Sequence, residues 1–149
     1  MTRETPFAIM PLAARPDVIG PLATLLEATW PDWYGASGQG DADKDLTARS
    51  GPGLPKGWVA LHGDVAIGTV ALTRTSFGAG PEEAPWLGGL CVAPEWRGRG
   101  IGGDLVAEVE RSVPGPLYTT TREAAPIFQR RGWAVLRDVE DGWQVLRRA

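Results

Sequence analysis

The order of apolar and polar positions predicts a chain that alternates between strands and helices. Apolar runs bounded by turn residues predict strands at residues 6–13, 58–61, 65–73, 86–92, 117–121, 133–137 and 143–147. Apolar residues spaced three and four apart predict helices at residues 17–29, 101–113 and 124–131, the first capped by Asp17. Gly, Pro and Ser dominate residues 35–57 and 76–85, which predicts two loops, with one or two helical turns at residues 41–48.

This order of elements favours a mixed sheet. The unit from Trp86 through the helix at 101–113 to Thr121 is a βαβ crossover, so its two strands should be parallel neighbours. The strands at 58–61 and 65–73 flank His62-Gly63-Asp64, a turn typical of an antiparallel hairpin. We therefore expect one α/β (α+β mixed) domain over residues 1–149, with a mostly antiparallel twisted sheet of about six or seven strands and helices on both faces.

Composition excludes several classes of function. The 149 residues are 43% hydrophobic and 22% charged, which is enough apolar material for a packed core. The net charge of −3 argues against nucleic-acid binding. The longest apolar run, residues 7–14, is far shorter than the roughly 20 residues of a membrane span. One cysteine and one histidine allow neither an internal disulfide nor a zinc site. We expect a cytoplasmic protein without a metal, either a monomer or a homodimer.

The most informative feature is a glycine-rich turn between the strand at 86–92 and the helix at 101–113. Four glycines lie within the six residues Gly98, Arg99, Gly100, Ile101, Gly102 and Gly103. Glycine lets a ligand approach the backbone closely, and the N–H groups of the first helical turn lack intrahelical partners. Arg97 and Arg99 add positive charge to that of the helix dipole. The turn is therefore suited to an anion, and a diphosphate fits best.

The turn has two other interpretations. A simple tight turn with solvated arginines would not need four glycines. A dinucleotide-binding turn is the second alternative, because Gly98, Gly100 and Gly103 satisfy G-x-G-x-x-G and Glu123 lies near the position of a ribose-binding acid. However, residues 94–97 separate the strand from the glycines, and the 46 residues after Gly103 are too few for the rest of a doubly wound sheet.

The sequence from Arg97 to Gly102 resembles Gln/Arg-x-x-Gly-x-Gly/Ala, the acyl-CoA pyrophosphate loop of the GNAT superfamily of N-acyltransferases. Residues 90–94 resemble that superfamily's strand and its Val-x-Pro exit. Residues 128–133 resemble its Tyr-x-x-x-Gly-Phe motif. The three motifs and the order of elements together make the resemblance strong over residues 58–133, whereas it is only topological before them.

The resemblance implies that acetyl-CoA is the cosubstrate and lies where the strands at 86–92 and 117–121 splay apart. The pantetheine arm would bond to the strand backbone, the pyrophosphate would lie on the glycine-rich turn, and Phe128 would pack against the arm. The cofactor-binding residues expected on this basis are Leu90, Cys91, Val92, Arg97, Gly98, Arg99, Gly100, Ile101, Gly102, Gly103 and Phe128. The glycine pair at 88–89 fits a bulge or a close approach, or a loop that extends into the strand.

The implied reaction is transfer of an acetyl group to a primary amine of a small molecule or peptide by direct attack in a ternary complex. The backbone N–H of Val92 is the expected contact for the oxyanion. The family's usual acid is the tyrosine of Tyr-x-x-x-Gly-Phe, and this chain has Phe128 there, which cannot donate a proton. Tyr118 or Tyr34 remain as candidate acids, and Glu82 or Glu83 as bases acting through water.

In this superfamily the acceptor pocket is typically formed by the first helices and by loops around the fourth strand. Aromatic rings beside carboxylates would suit a cationic amine. The candidate acceptor-binding residues are Glu27, Trp30, Asp32, Trp33, Tyr34, Glu82, Glu83 and Trp86. The absence of the usual tyrosine leaves a second hypothesis open, a non-catalytic sensor that binds acyl-CoA.

Overall fold

The computed structural model describes residues 6–149. The strands are β1 (Ala8–Pro11), β2 (Lys56–His62), β3 (Val65–Thr73), β4 (Trp86–Val92), β5 (Leu117–Thr121), β6 (Ala134–Asp138) and β7 (Gln144–Arg148). The α-helices are α1 (Ile19–Thr29), α2 (Pro31–Tyr34), α3 (Ala42–Ala48), α4 (Ile101–Ser112) and α5 (Ala125–Arg130). Over these residues no helix combines the length and the apolar character needed to cross a bilayer.

The strands form one sheet in the order β1-β2-β3-β4-β5-β7-β6. Every neighbouring pair is antiparallel except β4 and β5, which are parallel and are joined through α4. The expected fold, including the parallel pair between 86–92 and 117–121, is confirmed.

Apolar side chains cover both faces of the sheet. On one face, which we call the α4 face, Leu105, Val109 and Phe128 pack against strand residues such as Val70 and Leu87. On the opposite face, which we call the α1 face, helices α1 and α3 contribute Leu22, Leu26 and Leu46 to a second cluster. The alternation of side chains along each strand requires both layers, because strands in the middle of the sheet are apolar on both sides.

The beginning of the chain departs from the prediction. Strand β1 covers only Ala8–Pro11, and a 3₁₀ turn at Leu12–Ala14 replaces the rest of the expected strand. The expectation that Asp17 caps the first helix is wrong. Its carboxylate instead pairs with Arg15, with Nη2 and Oδ2 2.9 Å apart, and α1 begins at Ile19 with no side-chain cap.

Helix α2 lies between the predicted first helix and the predicted loop, where the sequence indicated no element, and α3 lies within that loop. Helix α2 begins at Pro31, which suits the first helical position because its missing N–H has no partner there in any case. Helix α3 occupies the possible helical turns at 41–48, and the Asp41 side chain accepts a hydrogen bond from the Lys44 N–H at 3.1 Å. Leu46 is completely buried, so burial as well as capping holds α3 against the sheet.

Candidate active site

Strand β4 separates from its parallel partner halfway along its length. The parallel register comprises Trp86 with Tyr118 and Leu87 with Thr119, and it ends there. On the other side, β4 contains one extra residue relative to β3, since Thr69 pairs with Cys91 but Ala71 pairs with Gly88. This irregularity is a β-bulge, and Gly89 within it has φ +60°, which glycine adopts without strain. The second half of β4 therefore has one edge directed into a gap.

Val92 is oriented toward that gap. The Ala93 N–H donates to the Ile67 carbonyl at 2.8 Å, so the neighbouring pair, Gly68 and Val92, is a non-hydrogen-bonded pair of the antiparallel ladder. The backbone N–H and C=O of Val92 consequently point away from β3. Its carbonyl accepts a hydrogen bond from Arg97 Nε at 2.8 Å.

The glycine-rich turn joins this strand end to α4. Gly98 and Gly100 have φ values of +77° and +85°, so a side chain at either position would be strained. The first hydrogen bond inside α4 runs from the Asp104 N–H to the Gly100 carbonyl at 3.1 Å. The N–H groups of Ile101, Gly102 and Gly103 come before it and have no intrahelical acceptor. The turn thus presents backbone donors and an exposed, side-chain-free surface, which fits a pyrophosphate.

The two arginines of the turn differ in their contacts. Arg97 is folded back onto the end of β4 through its bond to Val92. Arg99 lies over the Trp96 ring at 4.7 Å, and the His62 ring contacts the same indole with centroids 5.0 Å apart. Both guanidinium groups stay on the exposed side of the turn, where they add positive charge to the helix N-terminus.

Phe128 lies in the core. It is 1% exposed and meets Trp133 edge to face, with ring centroids 4.9 Å apart. The expected cofactor contact of Phe128 would therefore need an opening of this packing, because the described structure leaves almost none of the ring accessible. Its position in the Phe-x-x-x-Gly-Trp motif is explained by its packing against the tryptophan five residues later.

The two glutamates proposed as bases have different surroundings. Glu82 is exposed, with φ +65° in the loop before β4. Glu83 forms a bidentate ion pair with Arg137 of β6, with contacts of 2.6 and 2.9 Å, and accepts from the Gly80 N–H at 2.8 Å. The Arg137 hydrogen bonds, with help from Gly80, lower the pKa of Glu83 to about 2. A carboxylate held this way is a weak base and serves to attach the loop to the sheet.

Trp86 and Tyr118 form a buried pair on the α1 face. Their ring centroids are 5.3 Å apart, and Trp86 is fully buried while Tyr118 is 9% exposed. The Trp86 indole N–H donates to the Glu83 carbonyl at 2.6 Å. Because Trp86 is fully buried, it cannot contact an acceptor, and its role is to pack beneath the surface of the site.

The remaining candidate acceptor residues lie on α1, on α2 and at Trp30 between them. Glu27, Asp32 and Trp33 are exposed, whereas Trp30 and Tyr34 are partly buried. The Tyr34 hydroxyl donates to Asp45 Oδ2 at 2.7 Å. Burial, followed by that hydrogen bond, raises the pKa of Tyr34, and the nearby Arg49 guanidinium opposes the rise.

Arg49 was not among the residues that the sequence suggested. Its guanidinium lies on the α1 face above the bulge, with Nη1 3.1 Å from where a Cβ on Gly89 would be. The Arg49 carbonyl accepts from the Gly57 N–H at 2.9 Å, which attaches this residue to the start of β2. The only sequence signal was the spacing of Ala42, Leu46 and Arg49 in a segment dominated by loop residues.

Cys91 shows no sign of nucleophilic activation. It is 3% exposed, and its sulfur lies 3.2 Å from the Thr29 hydroxyl. Burial raises the pKa of the thiol. Any contribution to a cofactor site would come from the Cys91 backbone.

A family model described as an acetyltransferase (GNAT) domain matches residues 55–135, which include β4, the glycine-rich turn and α4. The chain belongs to this family. Membership makes the protein an acetyltransferase, as the motifs indicated. No curated protein sequence matches the chain significantly.

Solved structures agree with the family in their fold. An aminoglycoside 6′-acetyltransferase type Ii has a TM-score of 0.76 at 19% identity, covering 95% of this chain and 96% of that one. An aminoglycoside 6′-N-acetyltransferase complexed with coenzyme A has a TM-score of 0.75 at 15% identity, covering 95% and 96% of the two chains. Arabidopsis thaliana NAA60 with a bisubstrate analogue has a TM-score of 0.72 at 15% identity, covering 96% and 97%.

Proposed function

We propose that this GNAT protein transfers the acetyl group of acetyl-CoA to a primary amine of a small molecule or a peptide, by direct attack in a ternary complex. The observation that carries the proposal is the combination of the diverging β4 edge with the donor-rich turn at the start of α4. The residues proposed to hold the cosubstrate are the backbone of residues 90–92 and the turn at 97–103. Similar folds in complex with coenzyme A and with bisubstrate analogues are consistent with this choice.

In the proposed reaction the amine arrives uncharged, because an ammonium has no lone pair with which to attack. Its nitrogen forms a bond to the thioester carbon, and the carbonyl oxygen gains negative charge close to the Val92 N–H, whose direction toward the gap supports this role. The carbon–sulfur bond then breaks. Thiols are far stronger acids than alcohols, with a pKa near 8.5 for cysteine, so the thiolate of CoA is a competent leaving group without a strong acid. The proton lost by the amine goes to water or to the departing sulfur.

This proposal assigns no tyrosine or glutamate an essential proton transfer. Phe128 has no proton to give, and Glu83 is occupied by Arg137. Orientation of the two substrates and the backbone contact would then supply most of the acceleration. Well-oriented reactants can gain roughly 7–11 kcal/mol of barrier reduction over a bimolecular reaction in solution.

The direct test is release of free CoA, followed with a thiol reagent, when acetyl-CoA is mixed with a panel of amines. The panel should contain aminoglycosides, polyamines, free amino acids and short peptides with free N-termini. Saturable, amine-dependent release together with the acetylated product identified by mass spectrometry would support the proposal. Tight acetyl-CoA binding without release for any amine would instead favour the non-catalytic sensor.

A further inference from the structure

We propose that the acceptor amine carries a carboxylate, and that Arg49 binds this carboxylate on the α1 face of the β4 bulge. This inference rests on the proposed function and names its substrate class, an amino carboxylate such as a free amino acid.

Arg49 follows α3, and contacts with the sheet fix its position. Its backbone is anchored to β2 through the Gly57 N–H, and its Cβ lies 3.1 Å from where a Cβ on Gly57 would be. From there the side chain extends to Gly89 in β4. Gly57 is opposite Ala71, and Ala71 is opposite Gly88, so three small residues lie side by side across the strands that the arginine crosses. A side chain at Gly57 or at Gly89 would meet Arg49, because a Cβ there would lie 3.1 Å from the Arg49 Cβ or from its Nη1.

Arg49 has no carboxylate partner among residues 6–149. It takes part in none of the ion pairs that these residues form. Its guanidinium does hydrogen-bond the Tyr34 hydroxyl, and that hydroxyl in turn donates to Asp45, one helical turn before Arg49. A guanidinium has five N–H donors, so one that is partly buried and forms no direct ion pair can still bind a planar carboxylate through two parallel hydrogen bonds.

The location makes this charge relevant to the acceptor. Gly89 lies three residues before Val92, the proposed oxyanion contact, which is roughly 10 Å along the strand. The attacking nitrogen must come within about 3 Å of the thioester carbon at Val92, so a short acceptor could reach both points. The α1 face is also the side on which α1 and α2 place the other candidate acceptor residues. An acceptor bound on that side would lie close to Arg49.

A unit positive charge at this point discriminates between amines. It repels a second cation, so polyamines and other amines without an anion are disfavoured. It attracts a carboxylate, and in an amino acid the carboxylate and the amine are close enough for one to bind Arg49 while the other faces the thioester. The same charge favours the uncharged form of the bound amine, which is the form that attacks.

The test compares amines that differ only in a carboxylate, namely lysine with cadaverine and phenylalanine with phenethylamine. For the wild-type protein we expect kcat/KM to be at least about tenfold higher for the amine with the carboxylate. Arg49→Gln should remove this difference by lowering kcat/KM for the amino acids, while Arg49→Lys should restore part of it. Arg130→Gln, which removes an exposed cation from α5, should leave the difference intact. Acetyl-CoA affinity should be the same in all four proteins.

A second measurement separates this inference from the proposed reaction. Calorimetric titration of the CoA-saturated protein with the same amino acids requires no turnover. Binding to the wild type that weakens at least about tenfold in Arg49→Gln would support the carboxylate site even if no CoA were released. Equal kcat/KM for both members of each pair, or an Arg49→Gln effect of the same size on both, would overturn the inference. So would the failure of every amino acid to bind. If no amine caused CoA release, the proposed reaction would be contradicted, but the carboxylate site would not.

Discussion

Arg97 donates from Nε to the carbonyl oxygen of Val92 at 2.8 Å, and so connects the first residue of the pyrophosphate motif to the last residue of β4. The contact bends the chain back through the 3₁₀ turn at Pro94–Trp96. It fixes the backbone of Val92, whose N–H is the proposed oxyanion donor, relative to the turn that begins α4. One side chain thereby aligns the proposed phosphate site with the proposed reaction site.

Replacing Arg97 should loosen the alignment of the Val92 N–H with the glycine-rich turn. A hydrogen bond to a charged group contributes about 1.5–3 kcal/mol, so Arg97→Ala should lower kcat/KM for acetyl-CoA by roughly ten- to a hundredfold. Arg97→Lys should recover only part of the loss, because an ammonium lacks the fixed fork of a guanidinium. Arg130→Ala is the matched control for loss of a positive charge. If both alanine variants reduce kcat/KM equally, net charge rather than this contact is responsible.

A negative charge in the glycine-rich turn should abolish acetyl-CoA binding. Gly102→Asp is the sharpest change, because a Cβ at Gly102 would meet only Ile127 Cδ1 at 3.5 Å and Val92 Cγ2 at 3.9 Å, both ordinary contacts. The fold should therefore survive while the carboxylate repels the pyrophosphate. Gly100→Asp should also abolish binding but adds backbone strain at φ +85°. Calorimetry measures the affinity, and Gly20→Asp, where a Cβ has open space, controls for the added charge. Wild-type affinity in Gly102→Asp would exclude the turn as the cosubstrate site.

Phe128 should contribute to stability rather than to proton transfer. Phe128→Leu removes an edge-to-face partner of Trp133 and should destabilise the fold by about 1–2 kcal/mol. At a temperature where both proteins are folded, the kcat of the variant should stay within a few-fold of wild type. Denaturant unfolding and steady-state rates on the same samples test this. A large loss of kcat without a loss of stability would indicate that the ring contacts the reacting groups.

The rate should depend on the amine's protonation and not on a tyrosine acid. We expect kcat/KM to rise with pH as the amine deprotonates and to show no falling limb below pH 9. Because the pKa of Tyr34 is raised, its hydroxyl would stay protonated throughout this range, so the profile alone does not test it. Tyr34→Phe and Tyr118→Phe provide the test. A loss of roughly a hundredfold or more in either variant would identify a general acid and contradict the prediction.

The ion pair between Glu83 and Arg137 should stabilise the fold in a pH-dependent way. The pKa of Glu83 is about 2 in the folded protein and near 4.5 as the ordinary value, so the stabilisation is complete above about pH 4.5. It is lost as the pH falls through the interval from 4.5 to 2. Glu83→Gln should cost about 1 kcal/mol at pH 7 and progressively less below pH 4.5, as urea unfolding at a series of pH values would measure. Glu82→Gln, on an exposed neighbour, should have no such effect.

Much of the fold could be predicted because its signals are local. The apolar runs of β3 and β4 and the one-sided apolar pattern of α4 each specify an element within a short window. The hairpin at His62-Gly63-Asp64 and the crossover between β4 and β5 then leave few possible topologies. The segment before β2 was less predictable, since α3 is short and is stabilised by burying Leu46 against strands that come later in the chain.

The sequence by itself determined the backbone part of the site. Glycines at 98, 100, 102 and 103, next to a strand and a helix with that spacing, specify a donor-rich turn whatever the rest of the chain does. Only the tertiary structure decided which side chains can contact a ligand at the site. It paired Glu83 with Arg137 across 54 residues, buried Trp86 and Phe128, and brought Arg49 over Gly89. Such contacts join residues that lie far apart in the sequence, so no local pattern encodes them.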